Sequence, residues 1–200
     1  MKKIVKVLTE KNKTISAMES CTGGAVANAI TNVEGASEVL KFSAVTYSNE
    51  YKIKMGVSNK IINKYSVYSM ETANEMSKNI SEFTNSNYGI GITGKLNRLD
   101  KRNPFGEDNI VYISIYDKDN KKYYNSEIKV FKETRQQNKK VVIKEIIKIL
   151  QEVTNTVEGP KPTGFLIGVR INDDNEYNLV KIDISNIVSE KTNNTKNEKM

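Results

Sequence analysis

The order of hydrophobic patterns constrains the fold of this chain most strongly, because helical and extended patterns alternate along it. Apolar residues recur at helical spacing in residues 4–8, and residues 14–18 then have the composition of a strand. A second helical pattern extends to about residue 32, a second strand pattern covers residues 39–48, and residues 49–55 fit a short helix. Such alternation is typical of α/β proteins, in which helices pack against the faces of a sheet.

The second half of the chain keeps this alternation and adds adjacent strands. Ser69 is a suitable N-cap for a helix whose apolar residues share one face. Three strand candidates follow, at residues 88–93, 109–116 and 123–131. Residues 117–122 form a turn signal between the last two, and a long amphipathic helix is expected at residues 133–153. We therefore predict a three-layer α/β sandwich, in which a mixed sheet is flanked by helices.

The composition changes after about residue 154. The run Gly-Pro-Lys-Pro at residues 159–162 predicts a linker, and residues 165–171 and 177–184 predict a small C-terminal β-hairpin extension. A hairpin with alternating apolar residues needs a partner surface, which favours packing on the sheet or assembly into a homo-oligomer. We divide the chain into an α/β domain (1–154), a linker with an accessory hairpin (155–184) and a polar, disordered tail (185–200).

The chain contains no histidine and a single cysteine, Cys21. The lack of histidine excludes a Ser-His-Asp triad, a Cys-His pair and every zinc site that uses histidine. One cysteine permits no intramolecular disulfide and no thiolate metal cage, which indicates a reducing, cytoplasmic compartment. With no signal-peptide core and no run of eighteen apolar residues, we expect no membrane partner. Any hydrolytic chemistry must use Lys, Tyr, Asp, Glu, Ser or Thr.

The formal net charge of +7 and the pI near 9.2 favour anionic partners such as phosphorylated metabolites. Lysine and asparagine are nevertheless spread evenly along the chain, which indicates biased composition rather than a nucleic-acid-binding surface. Nucleic acid is therefore not an expected partner. Four basic residues cluster in one predicted loop: Lys95, Arg98, Lys101 and Arg102. They could bind phosphate or nucleic acid, although charged loops are most often merely solvated.

Two polar motifs each lie where a predicted strand ends. The first, Glu-Ser-Cys-Thr-Gly-Gly at residues 19–24, opens a helix, and Gly23 and Gly24 would let backbone N–H groups approach an anion or an oxyanion. A plain N-cap turn explains the same residues. The second motif, Thr-Tyr-Ser-Asn-Glu-Tyr-Lys at residues 46–52, is in isolation typical of a solvated turn.

The two motifs occur with others in the order and spacing of CinA C-terminal domains. The others are the turn at Gly35, Ala36 and Ser37, a Gly-Val pair at Gly56, a helix led by Ser69, Gly-Ile-Thr-Gly at Gly91, and Phe131 with Arg135. Over about residues 1–153 the chain resembles this family, and within it the nicotinamide mononucleotide deamidases.

The resemblance implies hydrolysis of the carboxamide of nicotinamide mononucleotide to nicotinate mononucleotide and ammonia, without a metal or an organic cofactor. It implies that Ser20 is the nucleophile and that Tyr47 and Lys52 assist it. Substrate-binding roles are implied for the remaining matched positions: Thr22, Gly23, Gly24, Asn49, Thr93, Gly94 and Arg135. We expect Ser20, Tyr47, Lys52 and Thr93 to converge at strand ends, where open α/β sheets bind their ligands.

A Ser-Lys mechanism agrees with the absence of histidine, because a neutral lysine can replace histidine as the base. Lowering a lysine pKa from about 10.4 to about 7–8 requires roughly 3–5 kcal/mol from burial or cationic neighbours. Cys21 is the rival nucleophile, but its small and apolar neighbours favour a packed structural thiol.

The segment after Gly94 departs from the family pattern, in which a loop rich in glycine and proline is usual. Residues 95–102 instead read Lys-Leu-Asn-Arg-Leu-Asp-Lys-Arg, and Pro-Phe-Gly at residues 104–106 restores the frame. Side chains in place of glycines should restrict the approach of the backbone to a nucleotide. Two hypotheses remain: an active Ser-Lys amidase with a remodelled loop, or a catalytically weakened nucleotide-binding or regulatory relative.

Overall fold

The computed structural model describes residues 1–104, 106–154, 165–171 and 177–183. The chain divides into two compact units, Met1–Thr156 and Val157–Met200. The described helices of the first unit are α1 (Lys2–Glu10), α2 (Ala25–Thr31), α3 (Asn49–Lys54), α4 (Asn59–Tyr65), α5 (Met70–Thr84) and α6 (Arg135–Val153). Its described strands are β1 (Ile15–Glu19), β2 (Leu40–Val45), β3 (Tyr88–Gly94), β4 (Ile110–Asp117) and β5 (Lys122–Lys129).

The five strands form one mixed sheet in the order β2-β1-β3-β4-β5. β1 is parallel to both β2 and β3, whereas β4 is antiparallel to β3 and to β5. The parallel strands are those connected through helices, and the tight turn between β4 and β5 makes an antiparallel pair. The predicted mixed sheet is confirmed.

Apolar residues form two separate cores, one on each face of the sheet. Leu8 of α1 and Ile146 of α6 belong to the first core, and Met76 of α5 belongs to the second. The neighbouring residues Ala17 and Met18 of β1 contribute to opposite cores, as the alternation of side chains along a strand requires. The first unit therefore has the three layers that the sequence predicts.

Two glycines in β3 allow α5 to pack directly on the strand. A Cβ atom at Gly91 would lie 2.3 Å from the carbonyl oxygen of Ala73, and one at Gly89 would lie 1.9 Å from that of Ser77. Only a hydrogen atom fits at these two positions. Because α5 runs back along β3 from its cap at Ser69, this contact places the start of α5 beside the carboxyl end of β3.

The structure corrects several element boundaries. β2 ends at Val45, not at residue 48, because Ser48 leaves the sheet to cap α3. α6 begins at Arg135 because Thr134 forms a capping box with Gln137. Helix α4 was not predicted, since its few apolar residues give no clear helical period.

The described part of the second unit consists of two antiparallel strands, β6 (Phe165–Ile171) and β7 (Tyr177–Asp183). This confirms the predicted pair of C-terminal strands. The predicted linker and the predicted tail lie outside the described residues. Within the part of the chain that the structure describes, no helix combines the length and the apolar character that a membrane crossing requires.

Candidate active site

A cavity of about 540 Å³ opens at the carboxyl ends of the parallel strands β1, β2 and β3. This volume is within the usual range for small-molecule sites. Its lining residues belong to the segments 20–21, 47–52, 67–68 and 94–103, together with Arg135. The cavity is thus built from the residues that follow three strands and from the starts of two helices, as is usual for ligand sites of open α/β sheets.

Ser20 and Lys52 meet in this cavity, although 32 residues separate them in the sequence. The Ser20 Oγ lies 3.1 Å from the Lys52 Nζ, which also donates to the carbonyl oxygen of Thr46 at 2.8 Å. Lys52 is 1% exposed and Ser20 is 5% exposed. The distance is within hydrogen-bonding reach, which is the first requirement for a nucleophile and its base.

Burial lowers the pKa of Lys52 from 10.5 to about 8, because the charged ammonium loses its hydration inside the cavity wall. The charge of Cys21, were that thiol ionised, would act weakly in the opposite direction. Neither hydrogen-bond partner of the Lys52 amine carries a charge that offsets the loss of hydration. A lysine with this pKa is neutral in an appreciable fraction of molecules near neutral pH, so it can accept a proton.

Helix α3 directs Lys52 inward while its neighbours face solvent. The Ser48 side chain caps the helix by accepting the N–H of Tyr51 at 3.3 Å. On the exposed side, Lys54 pairs with Glu50 at 2.6 Å and lies over the Tyr51 ring. Exposed pairs of this kind contribute little to stability, whereas a serine N-cap typically stabilises the start of a helix.

Cys21 lines the same cavity but has the opposite acid-base behaviour. Its thiol is free and buried, and burial raises its pKa to about 12 despite the nearby positive charges of Arg135 and Lys52. The thiolate, which is the nucleophilic form, is therefore almost absent near neutral pH. This agrees with the interpretation of Cys21 as a packed structural thiol.

Glu19 occupies the N-terminus of α2, where the sequence suggested a site for an anion or an oxyanion. Its buried carboxylate accepts four hydrogen bonds: from the N–H groups of Gly24, Val26 and Ala27, at 2.9–3.1 Å, and from the Ser43 hydroxyl, at 3.2 Å. The chain thus supplies its own anion to this helix end. Sequence reasoning placed Glu19 in the motif without recognising this role.

As a result, the structure does not place Thr22, Gly23 or Gly24 on the cavity wall. The N–H of Gly24 is bound by Glu19, and the N–H of Gly23 donates to the carbonyl oxygen of Ser20 at 3.1 Å. Both glycines have positive φ angles, 56° and 89°, so the tight turn itself requires them. Thr22 is fully buried. The three residues thus lie off the cavity wall, and the substrate-binding roles that the resemblance implies for them stay predictions.

Other residues singled out from the sequence do line the cavity: Tyr47, Asn49, Gly94 and Arg135. Tyr47 is 66% exposed and stands at the open side, and Arg135 is the first residue of α6. Thr93 does not line the cavity. It is fully buried, and its hydroxyl donates to the carbonyl oxygen of Val67 at 2.8 Å, which ties β3 to the segment before α5. Its predicted convergence with the others is corrected for this reason.

Sequence reasoning missed Tyr68 and Asp100 as parts of the cavity wall. Tyr68 directly precedes the cap of α5, a position that helix and strand patterns do not mark. Asp100 lies in the loop after Gly94, where the four basic residues are the more prominent sequence feature. Among the described residues, no group of three or more Cys, Asp or Glu side chains is arranged to hold a metal ion.

The sequence profile of the CinA C-terminal domain matches residues 1–154, which are most of the chain. The chain belongs to the CinA C-terminal domain family. This match covers every helix and strand of the first unit, and so includes both members of the Ser20–Lys52 pair.

Curated CinA relatives are considerably longer than this chain. A CinA-like protein from Endomicrobium trichonymphae is 40% identical over 116 residues, which cover 56% of this chain and 26% of the relative. A putative competence-damage inducible protein from Clostridium beijerinckii is 48% identical over 92 residues, which cover 46% of this chain and 22% of the relative. The chain thus spans about a quarter of the length of these relatives.

Solved CinA structures share the fold. The competence/damage inducible protein CihA from Agrobacterium tumefaciens aligns with this chain with a TM-score of 0.68 and 24% sequence identity. The alignment covers 76% of this chain and 92% of the CihA chain. A CinA superfamily protein from Klebsiella pneumoniae aligns with a TM-score of 0.68 and 19% sequence identity, over 78% of this chain and 95% of the Klebsiella chain. At these identities the likeness shows the mixed sheet with flanking helices and no more.

Proposed function

We propose that this CinA-family chain is an amidohydrolase that converts nicotinamide mononucleotide and water into nicotinate mononucleotide and ammonia. The observation that carries the proposal is a hydroxyl nucleophile, Ser20, 3.1 Å from a buried lysine whose pKa is lowered to about 8. Its motifs resemble those of nicotinamide mononucleotide deamidases, which supports this choice of substrate.

In the proposed reaction, the neutral Lys52 amine accepts the Ser20 hydroxyl proton while the Ser20 Oγ bonds to the carboxamide carbon. The tetrahedral intermediate then breaks its C–N bond, and Lys52 returns the proton to the departing nitrogen, so that ammonia leaves. Water then attacks the acyl-serine while Lys52 accepts one proton of that water. The bond between the carboxyl carbon and the Ser20 Oγ breaks as Lys52 returns the proton to this oxygen, so nicotinate mononucleotide leaves and the Ser20 hydroxyl is restored. Atoms and charges balance without a redox step.

The surroundings of Lys52 suit this role. The carbonyl oxygen of Thr46 accepts one N–H of the amine at 2.8 Å, which leaves the nitrogen lone pair of the neutral form able to face Ser20. We propose that Tyr47, at the open side of the cavity, assists proton transfer, and that Asn49 and Arg135 bind the substrate. Gly94 has a φ of 148°, and a Cβ there would lie 2.6 Å from the Ile110 carbonyl oxygen, so its role is to shape the wall.

Ser20→Ala tests the proposal. Wild-type protein should release ammonia from nicotinamide mononucleotide. Mass spectrometry of the nucleotide should show the mass change of an amide converted to an acid. Ser20→Ala should abolish turnover while nucleotide binding stays nearly intact, and the adjacent variant Cys21→Ala should retain most activity. Turnover that survives Ser20→Ala but is lost in Cys21→Ala would refute the assigned nucleophile.

The second candidate is a nucleotide-binding or regulatory module without turnover. The observation that favours it is the loop after Gly94, which brings Arg98, Leu99 and Asp100 to the cavity where the family usually has glycines. Calorimetric binding of nicotinamide mononucleotide by the wild type, combined with no release of ammonia, would select this candidate.

A further inference from the structure

The loop of residues 94–104 is closed by a buried lysine at its base. The Lys95 amine donates to the carbonyl oxygens of Pro104 and Gly106, both at 3.3 Å, and to the carboxylate of Asp108 at 2.9 Å. Lys95 is 3% exposed. Its charge is therefore used within the loop and is not available to a ligand.

Asp100 fixes the middle of the same loop. Its carboxylate accepts the Tyr68 hydroxyl at 2.5 Å, and also the side-chain amide of Asn103 and the N–H of Arg102, both at 2.9 Å. These hydrogen bonds lower the pKa of Asp100 to about 2, so its negative charge is retained and shared among donors of the loop and of Tyr68. The loop therefore has a hydrogen-bonded shape in which residues with side chains line the cavity next to Gly94.

Three arginines line this cavity: Arg98, Arg102 and Arg135. Arg98 donates to the carbonyl oxygen of Glu133 at 2.9 Å, which joins the loop to the start of α6 close to Arg135. The Arg102 and Arg135 side chains donate no hydrogen bond to any described residue. Asp100 is the one carboxylate among the lining residues that the structure describes. The cavity wall thus contains three arginines and one carboxylate, and that carboxylate already has three donors.

We propose that Arg98 and Arg102 bind the phosphate of a phosphorylated nucleotide together with Arg135, so that the remodelled loop selects nucleotides over nucleosides. This inference rests on the proposed function, since it assigns the anionic end of the substrate of the same site. Planar guanidinium groups match phosphate oxygens in pairs and stay charged at every relevant pH. Side chains of the loop thereby replace the backbone N–H groups that a glycine-rich loop would offer to an anion.

The kinetic test compares nicotinamide mononucleotide with nicotinamide riboside, which has the same amide but no phosphate. Arg102→Gln is the most informative variant because the Arg102 side chain has no hydrogen-bond partner to lose within the described residues. It should lower kcat/KM for the mononucleotide about 10- to 100-fold, the effect of one charged hydrogen bond, and leave the riboside unchanged. Lys101→Gln removes the same charge from an exposed position off the cavity and should change neither value.

The inference has an independent test that needs no turnover. In Ser20→Ala protein, calorimetry should show tighter binding of the mononucleotide than of the riboside, and Arg102→Gln added to this background should remove most of that difference. Inorganic phosphate should compete with the mononucleotide, and more weakly once Arg102 is changed. Equal loss for both ligands, or competition by phosphate that Arg102→Gln leaves unchanged, would overturn the assignment. Absence of ammonia release in the wild type would instead overturn only the proposed catalysis.

Discussion

The pH dependence of kcat/KM for nicotinamide mononucleotide should follow the deprotonation of Lys52. With a pKa of about 8, the neutral amine makes up about one in eleven molecules at pH 7, against about one in 3,000 for a lysine of pKa 10.5. Burial therefore makes the base about 300-fold more available at neutral pH. We expect kcat/KM to rise tenfold per pH unit below pH 8 and to become constant above it.

Lys52→Arg tests whether this profile belongs to Lys52. An arginine can still donate to the carbonyl oxygen of Thr46, but it does not lose its proton in this pH range. The variant should lose about 10²- to 10⁴-fold in kcat/KM between pH 6 and pH 10, the usual contribution of a general base. Ammonia release measured over that range in buffers of constant ionic strength gives the profile, and thermal melting shows whether the larger side chain is accommodated.

Two results would refute this reasoning. A wild-type profile that is flat from pH 6 to pH 9 would show that no group with a pKa near 8 limits the reaction. An increase of kcat/KM that continues toward pH 12 would match the thiol of Cys21, whose pKa is raised to about 12. Cys21 would then be the nucleophile in place of Ser20. Cys21→Ala is the control, since its profile should match the wild type.

The burial of Lys52 also has a thermodynamic consequence that does not depend on turnover. Between pH 8 and pH 10.5 the unfolded chain holds the Lys52 proton and the folded chain does not, so the free energy of unfolding rises with pH in this window. The increase should reach about 3 kcal/mol relative to Lys52→Met, whose side chain does not titrate. Urea unfolding of both proteins at several pH values measures this difference. If the free energies of unfolding of the two proteins change in parallel with pH, the lowered pKa of Lys52 is contradicted.

Three further substitutions test the framework of the site. Glu19→Gln places an amide N–H₂ among the N–H groups that Glu19 now accepts, and should lower the free energy of unfolding by about 2–4 kcal/mol in urea unfolding. Gly91→Ala should destabilise by more than about 2 kcal/mol by the same measurement, since its Cβ would lie 2.3 Å from the Ala73 carbonyl oxygen. The control Gly35→Ala has no atom within 4 Å and should cost only about 1 kcal/mol for its positive φ. Lys95→Met should make the 94–104 loop more sensitive to limited proteolysis, because the hydrogen bonds that close its base are lost. An unchanged cleavage rate would contradict this role of Lys95.

Much of the fold could be predicted because its signals are local. Helical and extended periods identified β1 to β5 and most of the helices to within a few residues, and the turn at residues 117–122 identified an antiparallel pair. The predicted boundaries differ from the observed ones where a helix cap sets them. β2 ends earlier than predicted because Ser48 caps α3, and α6 begins later than predicted because Thr134 caps it. Helix α4 was missed because packing, not its own sequence pattern, stabilises it.

The predicted site residues divide in a similar way. Ser20, Tyr47 and Lys52 do converge on one cavity, as the ends of neighbouring parallel strands would require. Thr93 does not, because successive side chains of a strand alternate between faces and its hydroxyl is used by the carbonyl oxygen of Val67. The glycine-rich turn offered an anion site in principle, but Glu19 lies close enough to fill it.

Composition, hydrophobic period and motif order are properties of the chain, and they were enough to predict the class of fold, the family and the chemistry that remains possible without histidine. The burial of Lys52 at 3.1 Å from Ser20, and the position of the Glu19 carboxylate at the end of α2, became visible in the folded chain alone. The physical reason is that a pKa and a hydrogen bond depend on which groups surround an atom and how much water reaches it. At this site those groups come from segments of the chain that are 5 to 32 residues apart, and folding alone brings them together.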